Sequence, residues 1–109
     1  MTDEATKLAD RLVSLLPKHI LRHGDERGGP YYIHVTDVAT AEYAINDGRV
    51  MKAMILAILK EGWLIEVNDR VAFVRDDVGF SLAVCDTKEY LGIEYAILTA
   101  GCDALEATK

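Results

Sequence analysis

The residues best suited to chemistry include a histidine pair at a spacing that metal sites use. His19-Ile-Leu-Arg-His23 places two imidazoles four residues apart, on one face if the segment is helical. The residue after His19 is Ile20, so the glutamate of an H-E-x-x-H motif is missing, and no spacing indicates a third ligand. We therefore expect a solvated basic turn here, not a metal site.

A second candidate is an aspartate cluster that could hold a cation. Asp76 and Asp77 are adjacent, and Asp86 follows nine residues after the second of them. The segment lacks the D-x-[DN]-x-[DN]-G spacing of a calcium loop, and Gly79 makes it typical of a turn. We predict that these carboxylates shape a turn and that the chain binds no metal or other cofactor.

The candidate nucleophiles are two serines and two cysteines, namely Ser14, Ser81, Cys85 and Cys102. Neither serine lies in a G-x-S-x-G motif, so no nucleophile elbow is indicated. The cysteines lack C-x-x-C spacing and have apolar neighbours, which favours buried thiols, with a disulfide as the alternative. We predict a protein that is not an enzyme.

Charge and composition restrict the number of domains and the class of partner. The chain has 109 residues, half of them hydrophobic, and a net charge of −6. That length fits one folded domain. Residues 75–109 carry three basic against seven acidic side chains, whereas residues 17–29 carry three basic against two acidic ones. An acidic chain is repelled by phosphate backbones unless it concentrates positive charge on one face, so a protein partner is favoured.

No apolar run is long enough to cross a bilayer, and the first residues lack the basic and apolar regions of a signal peptide. We expect a cytoplasmic protein with no membrane partner. The first predicted helix begins at Thr2-Asp3, carries Leu8 and Leu12 at helical spacing, and ends near Pro17. Residues 18–23 are predicted to add one helical turn, and residues 31–35 to form a short strand.

Residues 36–74 give the clearest pattern, two helices followed by a hairpin. Thr36-Asp37 is a predicted N-cap before a first helix over residues 38–44, and residues 45–48 form a turn. The second helix runs from Arg49 to Glu61 and ends at Gly62. A hairpin over residues 63–74 then turns at Asn68-Asp69.

This unit resembles a winged helix. The resemblance rests on a small residue in the first helix, an apolar residue entering the turn, an inward stripe on the second helix and a glycine before the wing strand, namely Ala41, Ile45, Met51, Met54, Ile58 and Gly62. The resemblance implies DNA binding through the second helix. Its exposed positions would be Arg49, Lys52, Ala53, Leu56 and Lys60.

The residues themselves favour a different use of that architecture. Only Arg49 and Lys52 are suited to contact a DNA phosphate or a base edge. Residues 53–59 are apolar on every side, which predicts a helix that is buried in the protein and does not lie in a DNA groove. The wing, residues 66–70, carries two acids and one base. We therefore favour protein contact over DNA contact.

The rest of the chain completes the prediction. Alternation over residues 80–85 extends the hairpin into a three-stranded antiparallel meander. A C-terminal helix is predicted over residues 87–107, with apolar residues at alternating spacings of four and three, namely Leu91, Tyr95, Leu98, Cys102 and Leu105. Packing of this stripe in the core is favoured over a homodimer seam. Gly92 and Gly101 indicate close backbone contact.

The sequence thus predicts an α+β, winged-helix-like single domain, residues 1–109, with a small antiparallel meander and a C-terminal helix. It resembles in type the small acidic accessory proteins of phages and other mobile elements, which bind or inhibit another protein or a nucleoprotein complex. The alternative is a dimeric DNA-binding transcriptional regulator. A small-molecule sensor is a third class, with no residue set indicated. Candidate protein-binding residues are Asp76, Asp77, Glu94, Tyr31 and Tyr32; candidate nucleic-acid-binding residues are Arg49, Lys52, Lys18 and Arg22.

Overall fold

The computed structural model describes residues 3–23, 31–34, 37–39, 44–87 and 92–108, with side chains in 4–22, 44–87 and 92–108. The fold is α+β, as predicted. The elements in chain order are α1 (Asp3–Leu15), β1 (Leu21–His23), β2 (Tyr31–His34), β3 (Asp37–Ala39), α2 (Gly48–Lys60), β4 (Leu64–Asn68), β5 (Val71–Arg75), β6 (Ser81–Asp86) and α3 (Gly92–Glu106).

The C-terminal helix α3 is the centre of the core. It contacts α1, α2 and all three strands of the β4–β6 sheet. Leu98, Cys102 and Leu105 of the predicted stripe are buried within the chain, so core packing is confirmed for these three positions. In the structure this helix begins at Gly92. Thr87 lies outside the helix, and residues 88–91, which include Leu91, lie outside the described residues. Leu8 and Leu12 of α1 pack into the same core.

Helix α2 begins and ends at strong local signals. The carboxylate of its N-cap Asp47 accepts a hydrogen bond from the backbone N–H of Arg49 at 2.8 Å. At the other end Gly62 has φ +86°, and Trp63 N–H donates to Ile58 O at 3.2 Å while Gly62 N–H donates to Leu59 O at 3.0 Å. This pair of bonds is a Schellman motif, which a glycine at this position permits. The predicted second helix is confirmed, and the predicted turn is confined to Asn46 and Asp47, because Ile45 is helical and Gly48 begins α2.

The predicted three-stranded meander is confirmed too. Strands β4, β5 and β6 pair antiparallel in that order, and the β4–β5 turn has Asp69 at φ 61°. Ala72 and Val74 of β5 face α3 and are buried, so the alternate residues Val71, Phe73 and Arg75 lie on the outer face.

Two local predictions are wrong, for the same reason. Residues 21–23, predicted as a helical turn, form β1, and residues 37–39, predicted as the start of the first winged-helix helix, form β3. Both strands pair antiparallel with β2, the strand predicted over residues 31–35. Pairing with β2, which is separated from β3 by two residues, therefore overrides the local capping signal at Thr36-Asp37. Ala44 and Ile45 are helical, and residues 40–43 lie outside the described residues.

Candidate binding surfaces

The loop between β5 and β6 is held by one carboxylate. Asp76 accepts hydrogen bonds from the backbone N–H groups of Phe80 at 2.8 Å and Val78 at 3.1 Å, and its own N–H donates to Phe80 O at 2.9 Å. Gly79 takes φ +97° to close the turn. The prediction that this aspartate shapes a turn is confirmed. The consequence is an ordered loop whose two apolar side chains face water, Val78 at 71% exposed and Phe80 at 72%.

The outer face of the β4–β6 sheet continues this apolar area. Leu64, Leu82 and Val84 are exposed on it, and Phe73 lies between them on the central strand, opposite Val84. The Arg75 guanidinium lies over the Phe73 ring at 4.8 Å from its centroid. Its Nε also pairs with Glu66 Oε1 at 2.6 Å. We call Leu64, Phe73, Val78, Phe80, Leu82 and Val84 the sheet surface.

The border of the sheet surface is acidic. Arg70 is exposed and Arg75 is half-buried, and the exposed carboxylates around them are Glu66, Asp69, Asp77 and Asp86. Of the predicted protein-binding residues, Asp76 and Asp77 therefore lie in the loop of this surface. An apolar centre with an acidic border can bind an apolar patch that has basic side chains around it.

The other predicted protein-binding residues lie elsewhere. Glu94 is half-buried in the first turn of α3, and its Oε1 is 3.0 Å from where a Cβ on Gly92 would be, so the carboxylate lies back against the helix N-terminus, where negative charge is favourable. Tyr31 and Tyr32 belong to the central strand of the small sheet, and their side chains lie outside the described residues. The structure does not join Glu94 to the sheet surface.

A second exposed apolar area runs along α2. This helix buries Val50, Ala53, Met54 and Ile58 on one side only. The predictions that the helix is covered on more than one face and that Ala53 is exposed are therefore wrong. Leu56 is 55% exposed and Leu59 54% exposed, with Ile55 beside them. We call Lys52, Ile55, Leu56, Leu59 and Lys60 the helix surface. Its border charges are the two lysines.

The predicted nucleic-acid-binding residues are only partly brought together. Arg49 and Lys52 line a surface depression of about 230 Å³ with His19, Ala53 and Leu56. Lys18 lines a different depression, at the end of α1, with Pro17 and His19. Two guanidinium groups are held by carboxylates: Arg49 Nη2 lies 2.6 Å from Asp47 Oδ2, and Arg22 Nη1 lies 2.7 Å from Asp10 Oδ2.

The candidate chemistry of the sequence is not assembled in the described residues. His23 lies in β1, so it does not share a helical face with His19. The part of the chain that the structure describes holds no group of three or more side chains suited to a metal ion. Neither cysteine forms a disulfide, and burial raises the pKa of the Cys102 thiol to about 12, which makes it a poor nucleophile at neutral pH. Among the described helices, none is long and apolar enough to cross a membrane.

The sequence pattern missed the two most exposed apolar side chains. The alternation over residues 80–85 places Phe80 in a strand, but β6 begins at Ser81, and the turn pattern around Gly79 gives Val78 no role. The available signal was their position: apolar residues on both sides of the glycine in a turn, where exposure is the rule. Comparison of the chain with protein-family models, curated proteins and solved structures finds no match.

Proposed function

We propose that this protein is a non-enzymatic regulatory protein that binds another protein, alone or in a nucleoprotein complex, through the sheet surface. The observation that carries the proposal is the ordered β5–β6 loop, which exposes Val78 and Phe80 to 71% and 72%. Exposing two large apolar side chains is unfavourable in water unless a partner covers them. Their loop is fixed by Asp76, so little ordering entropy is lost when a partner binds.

The partner's chemistry follows from the border. Carboxylates at Asp77 and Asp86 attract and orient basic side chains, while Phe80 and its neighbours bury apolar area. The partner should therefore present an apolar strip with lysine or arginine on its edges. Nucleic-acid-binding surfaces are rich in such residues, which agrees with the accessory-protein type that the sequence resembles.

DNA binding stays the second candidate, because the depression on α2 brings Arg49 and Lys52 together with His19. Three features weigh against it. Asp47 neutralises much of the Arg49 charge, the middle of the helix surface is apolar, and phosphate contacts require several cations on one face.

Affinity capture from a lysate of the native host tests the proposal. Three forms of the protein serve as bait: the wild type, a sheet variant (Val78→Ser with Phe80→Ser), and a matched helix variant (Ile55→Ser with Leu56→Ser). Each pair removes two exposed apolar side chains. We expect quantitative mass spectrometry to show one protein retained by the wild type and the helix variant, and reduced at least about tenfold with the sheet variant.

The opposite pattern, loss of the retained protein with the helix variant alone, would contradict the sheet surface as the binding site. Binding of the purified protein to a mixed-sequence DNA duplex, with a steep loss of affinity as salt rises, would move the DNA-binding candidate to first place.

A further inference from the structure

The β6 edge of the β4–β6 sheet is open in the part of the chain that the structure describes. Strand β6 pairs with β5 on one side, and α3 packs against its inner face. Strand β4, at the opposite edge, contacts α2, which precedes it in the chain. An unpaired strand edge presents a row of backbone donors and acceptors to any further strand.

The pairing with β5 determines which residues of β6 turn their backbone groups outward. Thr87 N–H donates to Arg70 O at 2.9 Å, so this opposite pair is a hydrogen-bonded one. Hydrogen-bonded and non-bonded pairs alternate along an antiparallel ladder. Ala83 and Cys85 therefore bond toward β5, and Val84 and Asp86 direct their N–H and C=O groups to the open edge.

This edge carries few of the devices that usually prevent pairing. Residues 82–85 are Leu-Ala-Val-Cys, without lysine, proline or any charge. The pairing passes from Val74 opposite Ala83 to Arg75 opposite Ser81, so Leu82 is the extra residue of a β-bulge near the start of β6, and the regular part of the edge runs from Ala83 to Asp86. Leu82 and Val84 also expose their side chains on the outer face, Val84 to 54%.

We propose that β6 pairs antiparallel with β6 of a second copy of this chain, about a two-fold axis at Val84. The pairing joins two three-stranded sheets into one of six strands. Val84 then exchanges two backbone hydrogen bonds with its counterpart, and Asp86 reaches the other copy's Leu82, where the bulge ends the regular ladder. The one charge of the strand thus never faces itself, which makes the segment complementary to its own copy.

Charge also predicts how this contact responds to salt. Each copy carries a net charge of −6, so the two copies repel each other at long range. Salt screens that repulsion while leaving strand pairing and apolar contact intact, so the dimer should become stronger as salt rises. Binding of a basic partner by the sheet surface should respond in the opposite direction.

Sedimentation velocity of the full chain over a concentration series, at low and high salt, tests the proposal. We expect the dimer fraction to rise with both concentration and salt. Val84→Lys places two like charges opposite each other and should raise the dissociation constant at least about tenfold. Leu64→Lys is the matched control, since it makes the same change on the same face at the other edge, where the side chain is 46% exposed. It should leave the dimer in place.

A cross-link tests the register directly. Opposite residues in a hydrogen-bonded antiparallel pair have Cα atoms about 5.5 Å apart, within the range that a disulfide spans. In a Cys85→Ser background, Val84→Cys should form a covalent dimer under mild oxidation, and Leu64→Cys should not.

Four outcomes would overturn the proposal. The first is a monomer at every concentration and salt, without a cross-link. The second is a dimer that survives Val84→Lys, and the third is a dimer that Leu64→Lys dissociates as strongly as Val84→Lys does. The fourth is a covalent dimer that Leu64→Cys forms as readily as Val84→Cys.

Discussion

The helix surface and the sheet surface expose similar apolar side chains within opposite electrostatic borders. Leu56 and Leu59 lie between Lys52 and Lys60 on a single capped helix. Phe80 and Val84 lie among Asp77, Asp86 and other carboxylates, on a sheet that ends in an open edge. The net charge of −6 conceals this division.

The difference shows why exposed apolar area alone does not identify a binding site. Scattered apolar side chains are ordinary on protein surfaces, and area does not convert directly into affinity. The two areas differ in what accompanies the apolar groups. The sheet surface adds a loop fixed by Asp76 and a backbone edge that can pair, whereas the helix surface offers side chains only. We therefore assign the partner to the sheet surface.

The most disruptive change we predict tests whether the two surfaces are independent. A Cβ on Gly101 of α3 would overlap Met54 Sδ and lie 2.9 Å from Met54 Cγ, where the fully buried methionine of α2 has little room to move. Gly101→Ala should therefore destabilise the fold by about 1 to 3 kcal/mol and displace α2. Chemical denaturation measures the loss. Because α2 carries the helix surface, the partner of the sheet surface should still bind to the folded fraction.

Loss of capture at a temperature where Gly101→Ala is still folded would show that the two surfaces act together. A stability equal to that of the wild type would mean that Met54 repacks without cost. Gly48→Ala provides the control, since no atom lies within 4 Å of a Cβ placed there.

The sequence was informative where local signals and core periodicity agree. The α2 boundaries follow from Asp47 and Gly62, the α1 stripe from Leu8 and Leu12, and the meander from alternating residues. It failed at β1 and β3, which form by pairing with their neighbour β2, because the turn and capping signals of these segments do not show that they pair as strands.

The candidate site was predictable only in part. The acidic residues of the β5–β6 turn, Asp76 and Asp77, could be selected from type and position. Glu94 could not be rejected, because its placement depends on how α3 packs beside the sheet. The exposed side of α2 was also unpredictable, because a run of apolar residues gives no indication that one side remains uncovered. Exposure of Val78 and Phe80 depends on hydrogen bonds within the loop that a sequence pattern does not show.

A smaller effect is expected at Gly62, in the link between the helix that carries the helix surface and the first strand of the sheet. Gly62 links α2 to β4 with φ +86°, and no atom lies within 4 Å of a Cβ placed there, so a substitution costs backbone strain alone. Gly62→Ala should destabilise the fold by about 1 to 2 kcal/mol, because an L side chain disfavours this conformation. Thermal unfolding measures the change, and Gly62→Asn, which tolerates positive φ better, should recover part of it. Equal losses for both variants would indicate a cause other than strain.

The smallest predicted effect lies outside both surfaces, where α1 meets α3. The Arg11 guanidinium donates to Glu106 Oε2 at 3.0 Å and Oε1 at 2.8 Å, and also pairs with Asp103. Hydrogen bonding to Arg11 lowers the pKa of Glu106, so the carboxylate stabilises the folded state above its unfolded pKa of about 4.3 and loses that contribution as the pH falls through the lower folded value.

Arg11→Met should therefore cost at most about 1 kcal/mol at pH 7, because the pair is partly exposed and screened by solvent. The difference from the wild type should shrink in acid, as the pH falls from the unfolded pKa of about 4.3 through the lowered folded pKa of Glu106, because the carboxylate is then protonated in both proteins. Denaturation of both proteins at several pH values measures this, with Glu106→Gln as the companion variant. A difference that stays constant in acid would assign the Arg11 effect to packing of its methylene groups and not to charge. Partner capture should be unchanged in Arg11→Met, because the substitution leaves the acidic border of the sheet surface intact.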